Sequence, residues 1–395
     1  MMLRGKNTIP VLVALLLSIG SWAQEAAPSG SQWNVTLQGG AGYVAPTFDW
    51  RDEMMSTFVY PVSGIAVGYQ TTEKDSPYAA LFGYPNFGVG LGWEGYSTLR
   101  YNGISRLGDF VNLYGFAERT LLRRDWFSLD FVFDLGAGFN GTFYDPERNP
   151  LNRNFGSYAV IYVGSGLDFH VPLTDHLEAG ISARFNHYSS GRLAYPNAGL
   201  NNPAASLSLR YREAKPPKRR PAGAFPDPPS RFFYELYAGA GIHRCAIEWS
   251  VTGTTRPWAI FSFGGSANFR YRPHLSTGLA VDMYAETPVF LSQLEEYERT
   301  LYGNDQVDAY CPYRGFSAGA GVIQHLHYGP FSAFATVGAY LYRHNGFHDQ
   351  RGKLYQRIGL KYLFPGSTGL FVALDCKAHG FSRAAMMELT LGIRL

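Results

Sequence analysis

Residues Trp126–Phe139 read WFSLDFVFDLGAGF. Phe127, Leu129, Phe131, Phe133 and Leu135 share one parity; Ser128, Asp130, Asp134 and Gly136 share the other. Residues two apart lie on the same side of a strand, so this stretch is a β-strand with one apolar and one polar face. The polar face mixes charges with glycine. The same alternation returns in HLEAGISARFNH (176–187), ASLSLRYR (205–212), FSAFATVGAYLY (331–342) and MELTLGIRL (387–395). About sixteen such segments run along the chain, half of them before residue 213 and half after 230, many longer than an ordinary soluble strand.

The ends of the chain bear on where these strands sit. Arg4 and Lys6 precede a short apolar run, Pro10–Leu17, and Ser21-Trp22-Ala23 supplies small residues at a cleavage site. Residues 1–23 therefore read as a secretory signal, with Gln24 as the first mature residue. The run is too short to cross a bilayer as a helix, and no cysteine follows it to carry a lipid anchor. A secreted chain of long alternating strands, with no helical period, reads as an all-β, antiparallel transmembrane barrel, its apolar face to lipid and its polar face to the lumen. The competing architecture is a secreted sandwich or propeller with shorter strands and inward apolar faces. Charged residues make up 16% of the chain, below the roughly 25% usual in soluble domains. The net charge of +3 is too small to argue for nucleic acid. Cys245, Cys311 and Cys376 are odd in number and far apart, and suggest neither a zinc site nor a disulfide framework.

Between the halves lies EAKPPKRRPAGAFPDPPS, Glu213–Ser230, rich in proline and basic residues and without periodicity. It reads as a linker over 214–230, semi-stiff because of its prolines. One sixteen-stranded barrel needs only a short turn there, so the expectation is two eight-stranded barrels in series along the chain, 24–213 and 231–395.

The stretch that bears on function is RFNHYSSGRLAYPNAGLNN, Arg184–Asn202. Leu177, Ala179, Ile181, Ala183 and Phe185 form an apolar face, and His187 and Ser189 continue it. In the next strand Ala205, Leu207, Leu209 and Tyr211 are apolar, and the same parity carried backward reaches Pro203 and Asn201. His187, Ser189 and Asn201 should thus lie together on the outside of the barrel near one rim. With the N-terminus in the periplasm, the seventh strand runs outward and that rim is extracellular. Polar groups facing lipid are costly. One explanation is chemical: Ser189 as nucleophile, His187 as its base, and Asn201 orienting the imidazole, as an asparagine does in papain-like proteases. The other is that a histidine and a serine simply sit in the headgroup zone.

NHYSSGRLAYPNAGLN resembles the active-site segment of the lipid A 3-O-deacylase family, whose members are also called acyloxyacyl hydrolases. The matching positions are His187, Tyr188, Ser189, Ser190, Gly191, Pro196, Asn197, Gly199, Leu200 and Asn201. YDPERNPLNRNFGS, Tyr144–Ser157, resembles a stretch in members from the Bacteroidetes. The resemblance implies an outer-membrane enzyme that hydrolyses an ester-linked acyl chain of lipopolysaccharide, with Ser189 as nucleophile, His187 as base and no cofactor. It departs at two positions. Asn201 stands where the family pattern has a glutamate, and Ser190 where it has an asparagine taken to donate to the oxyanion. The Ser190 hydroxyl or the backbone around Gly191 would have to take that part. The alternative is a barrel without catalysis, serving as scaffold, adhesin or porin.

The second half carries AHGFS (378–382) late in its sequence, an echo of NHYSS. There Leu370, Val372, Leu374, Cys376 and Ala378 form the apolar face, and Asp375, Lys377 and His379 fall on the other. Ser382 lies three residues after His379, on the opposite side. Asp375, Lys377, His379, Glu388 and Arg394 are expected to form a lumen network. QHLHYG (324–329) sets two histidines two apart, a partial metal motif with no other ligand nearby in sequence.

Overall fold

The computed structural model describes residues 32–44, 58–72, 74–101, 104–105, 107–214, 230–347, 352–380 and 383–395. The signal over 1–23, Ser382 and nearly all of the linker lie outside these residues. Two closed, antiparallel, eight-stranded barrels are formed. The first comprises β1 (Trp33–Tyr43), β2 (Val59–Gln70), β3 (Asn86–Glu94), β6 (Phe110–Arg124), β7 (Phe127–Phe139), β8 (Ala159–Pro172), β9 (Leu177–Ser189) and β10 (Leu200–Arg212). The two-residue strands β4 (Arg100–Tyr101) and β5 (Ile104–Ser105) pair within the connection from β3 to β6. The second comprises β11 (Phe232–His243), β12 (Trp258–Arg272), β13 (Leu275–Glu286), β14 (Phe316–Tyr328), β15 (Phe331–Arg343), β16 (Leu354–Leu363), β17 (Leu370–His379) and β18 (Arg383–Arg394). In each barrel the first strand pairs with the last, which removes every edge.

The apolar parity faces outward all the way round. Leu37, Ile65, Leu91, Phe133, Leu167, Ile181 and Leu207 are exposed on the first barrel, and Leu236, Phe263, Leu279, Val322, Ile358, Leu374 and Leu389 on the second. An apolar belt of this kind on a closed barrel is a lipid-facing surface, and it rules out a sandwich with an inward apolar core. No helix among the described residues is long and apolar enough to cross a membrane.

Inside, charge meets charge. In the first barrel Arg210 grips Glu118 with two hydrogen bonds of 2.8 and 2.6 Å, and Arg184 bonds Asp168 at 2.8 Å. In the second, Arg357 faces Asp282, Asp375 and Glu388, while Glu235 takes Lys361 and Arg394. The expected network is therefore in the lumen. Lys377 lies over the Tyr284 ring at 3.0 Å, and His379 Nε2 is 2.8 Å from Tyr340 Oη. Its two hubs, Arg357 and Glu235, were not among the residues singled out from the sequence. Glycines make room for lumen tyrosines: a Cβ on Gly90 would lie 2.3 Å from Tyr114 Cζ, so only glycine lets that ring lie across the strand.

The barrels touch at both ends. At the end where β2 turns into β3, Tyr78, Phe82 and Phe87 pack their rings around Tyr328 with centroids 5.3–5.9 Å apart. At the other end Tyr144 meets Trp249 at 6.1 Å, and Arg244 donates to the Leu193 carbonyl at 2.5 Å. Helices are short and uneven in distribution. The first barrel has α1 (Pro77–Leu81); the second has α2 (Ala246–Thr252), α3 (Pro288–Tyr302) and α4 (Asn304–Asp308), which close over Trp258 and Tyr313 in an apolar cluster.

Candidate functional site

Strand β9 is fixed by what it points inward. Tyr188 is fully buried, in an aromatic cluster with Tyr96, Phe110 and Tyr162 at centroid distances of 6.3, 4.6 and 5.2 Å. Its hydroxyl accepts from Asn112 Nδ2 at 2.7 Å. Asn186, the inward residue before it, donates to Glu94 Oε1 at 2.9 Å. With 186 and 188 anchored inside, alternation turns His187 and Ser189 outward, where both are half-buried. Asn201 is directly opposite His187 across the β9–β10 pair, within reach of one short side chain. His187 Nδ1 and Asn201 Oδ1 are 2.7 Å apart. An amide oxygen only accepts, so Nδ1 is the donor in this contact.

Ser189 Oγ accepts the Gly191 backbone N–H at 3.1 Å and Asn197 Nδ2 at 3.2 Å. Asn197 is itself oriented by its oxygen, which takes the Ser190 N–H at 2.8 Å. His187 and Ser189 share the outer face but are not hydrogen-bonded to one another among the described residues. Such contacts are often long in a free enzyme and close when substrate binds.

The loop that follows is held on its inner side. Gly199 has φ +66°, and a Cβ there would sit 2.6 Å from the Tyr188 carbonyl oxygen. Ala198 and Gly199 donate their N–H groups to the carbonyls of Arg153 and Asn154, at 3.0 and 3.2 Å. The Tyr144–Ser157 segment thus braces the loop carrying Pro196, which is buried, and Asn197. That segment has its own anchor: Asp145 accepts the N–H groups of Glu147 and Arg148 at 2.9 and 2.8 Å, which hold its carboxyl below the usual range.

Ser190 and Gly191, the two positions expected to offer an oxyanion donor, differ in where they point. The Ser190 hydroxyl turns inward, is buried, and bonds the Ala194 carbonyl at 3.0 Å, so it is not aimed at Ser189. Ser190 directly follows β9 and continues the parity of that strand's inward, even-numbered side. The donors beside Ser189 are instead the Gly191 N–H and the Asn197 amide. Asn197 was legible only as a matching position in a family pattern; its contact with Ser189 crosses eight residues of irregular loop.

Two clusters of potential ligands lie elsewhere. Glu118, Asp168 and His170 have ligand atoms within 4.8 Å of one another in the first lumen, but guanidinium groups already face both carboxylates. His325 and His327 are buried in the second lumen with rings stacked 5.6 Å apart, and His327 bonds Ser276 and Ser332, each at 2.8 Å. Neither cluster opens onto the outer face where His187 and Ser189 stand.

Residues 63–210 match the family model described as lipid A 3-O-deacylase (PagL), and residues 232–395 match that of the acyloxyacyl hydrolase C-terminal domain. Among solved structures, Neisserial surface protein A is 11% identical, covering 47% of this chain and 99% of that one at a TM-score of 0.32. The outer membrane enzyme PagL is 12% identical, covering 45% and 98% at 0.28, and a mutant Rh. blastica porin is 10% identical, covering 92% and 99% at 0.17. Those scores are too low to carry an argument. No curated protein matches the chain. The two family models adjoin across the barrels and together account for most of the sequence: the chain belongs to the lipid A 3-O-deacylase (acyloxyacyl hydrolase) family.

Proposed function

We propose that this protein is an outer-membrane esterase that removes an ester-linked acyl chain from lipid A. The observation that carries the reading is the alignment of Ser189, His187 and Asn201 on the lipid-facing side of one barrel rim, with Nδ1 of the histidine turned to Asn201. An acyl ester of a membrane lipid reaches that surface without leaving the bilayer.

Ser189 Oγ attacks the ester carbonyl as His187 Nε2 takes its proton. The carbon–oxygen bond to the sugar breaks, and His187 returns the proton to the leaving oxygen. Water then attacks the acyl-serine, giving its proton to His187. Cleavage of the acyl-serine bond releases the fatty acid, and the proton returns to Ser189. The Gly191 N–H and the Asn197 amide already point at Ser189 Oγ and are the donors for the charge that develops on the carbonyl oxygen. Asn201 orients the ring but offers the imidazolium no negative charge, so the reaction is slower than with a carboxylate there. Among the described residues the group facing His187 Nδ1 is the Asn201 amide oxygen, and no cofactor is needed for any step.

The test is mass spectrometry of lipid A from cells carrying the wild type or Ser189→Ala. The wild type is expected to yield lipid A lacking one acyl chain, and the variant to leave it intact. Identical lipid A in both, with both barrels folded in the membrane, favours a catalytically silent scaffold.

A further inference from the structure

In the loop between β9 and β10, Gly191 and Arg192 take positive φ in succession, +60° and +71°, and Arg192 has a side chain that disfavours it. Local bonds hold part of the loop: Leu193 N–H to the Ser190 carbonyl at 3.0 Å, and Arg192 Nε to Tyr195 Oη at 3.0 Å. None of these restrains the Gly191 peptide itself from the lipid side.

One side chain from each barrel does, Ile161 of β8 and Met387 of β18. A methyl group placed on Gly191 would lie 3.0 Å from Met387 Cγ and Sδ and 2.9 Å from Ile161 Cδ1. The Met387 side chain, on the outer face of β18, therefore rests directly on Gly191. Two residues on, Arg244 at the end of β11 donates through Nε to the Leu193 carbonyl at 2.5 Å, while another of its nitrogens bonds Thr255 Oγ1 at 3.3 Å. Tyr144 against Trp249 braces the neighbouring segment the same way.

We propose that the second barrel is a structural part of the first barrel's active site: Met387 and Arg244 are positioning residues that hold the 190–196 loop so that the Gly191 N–H stays aimed at Ser189 Oγ. The inference rests on the esterase reading for its consequence, but the coupling of barrel to loop stands on its own contacts. It explains why a site built wholly from residues 187–201 belongs to a chain with a second closed barrel. Met387 supplies a flexible apolar side chain that fills against a bare glycine, and Arg244 supplies a fixed donor to a loop carbonyl.

The experiment uses the full chain refolded into lipid vesicles, with Met387→Ala, Met387→Leu and Arg244→Ala. Two readouts are taken: reaction of Ser189 with a fluorophosphonate together with hydrolysis of a p-nitrophenyl ester, and amide hydrogen exchange over residues 190–196. Met387→Ala and Arg244→Ala are expected to lower kcat and the labelling rate about tenfold at unchanged KM, and to speed exchange in the loop; Met387→Leu restores both. Unchanged kcat and exchange in Met387→Ala overturn the inference, as does a raised KM at full kcat, which would make Met387 a substrate wall. If the wild type labels nothing and trims no lipid A, the esterase reading falls; faster exchange in the two alanine variants then still supports the coupling, and unchanged exchange overturns it.

Discussion

The two barrels are built alike and differ in which way their late histidines point. In β9 of the first barrel, His187 and Ser189 continue the apolar parity and stand on the lipid side. In β17 of the second, His379 shares parity with Asp375 and Lys377 and bonds Tyr340 in the lumen. One residue of register separates a side chain that meets lipid from one that fills a barrel. The elaborated rim also differs: α2, α3 and α4 crown the second barrel, while the first leaves its β9–β10 rim to a loop. An outward polar pair can meet a lipid, and an inward one cannot.

The sharpest way to break this comparison is to remove each histidine in turn. His187→Ala is expected to lower acyl-ester cleavage by roughly 10⁴-fold, while His379→Ala leaves it near wild type; lipid A mass spectrometry and ester hydrolysis read both. Equal losses would show that the two positions do not differ as described.

A stability comparison comes next in size. Arg210 has Glu118 as its bidentate partner, with Arg212 3.9 Å from the same carboxylate. Glu118→Leu strands a buried guanidinium and is expected to cost about 3–5 kcal/mol. Arg357 in the second barrel faces three carboxylates, so Asp375→Leu leaves it two and should cost less than half as much. Urea unfolding in vesicles, followed by the gel mobility of folded and unfolded barrels, measures the difference.

The smallest effect belongs to the crown. Glu295 pairs with Arg299 at 2.7 Å on α3, both partly exposed, and the hydrogen bond from Arg299, then that from Cys311, holds its carboxyl below the usual range. Glu295→Gln is expected to change stability by under about 1 kcal/mol. Because the folded value is depressed, the contribution is present above the ordinary glutamate value and fades as pH falls through the lowered one. A denaturation midpoint that differs between wild type and variant at neutral pH and converges in acid would bear this out.

Much of the fold was legible because a barrel is written in parity. Period-two alternation in Trp126–Phe139 named the strand and its two faces, and the proline-rich break near 214–230 separated two sets of eight. The lumen faces of β17 and β18 followed from the same rule. Their partners did not: Arg357 and Glu235 lie on other strands, and nothing local in Asp375 or Arg394 says which charge will face it across a closed barrel.

The site divides the same way. Sequence alone determined that His187, Ser189 and Asn201 share the outer side, since strand geometry leaves a side chain only two directions. It also determined the chemistry that the residue types allow. Only the tertiary structure decided the rest. The register of β9 against β10 brought Asn201 opposite His187, and the inward parity of position 190 buried the Ser190 hydroxyl. Loop closure carried Asn197 back to Ser189. The packing of one barrel on another set Met387 against Gly191, a contact between residues nearly two hundred positions apart that no local pattern encodes, because it depends on where two separately closed sheets come to rest.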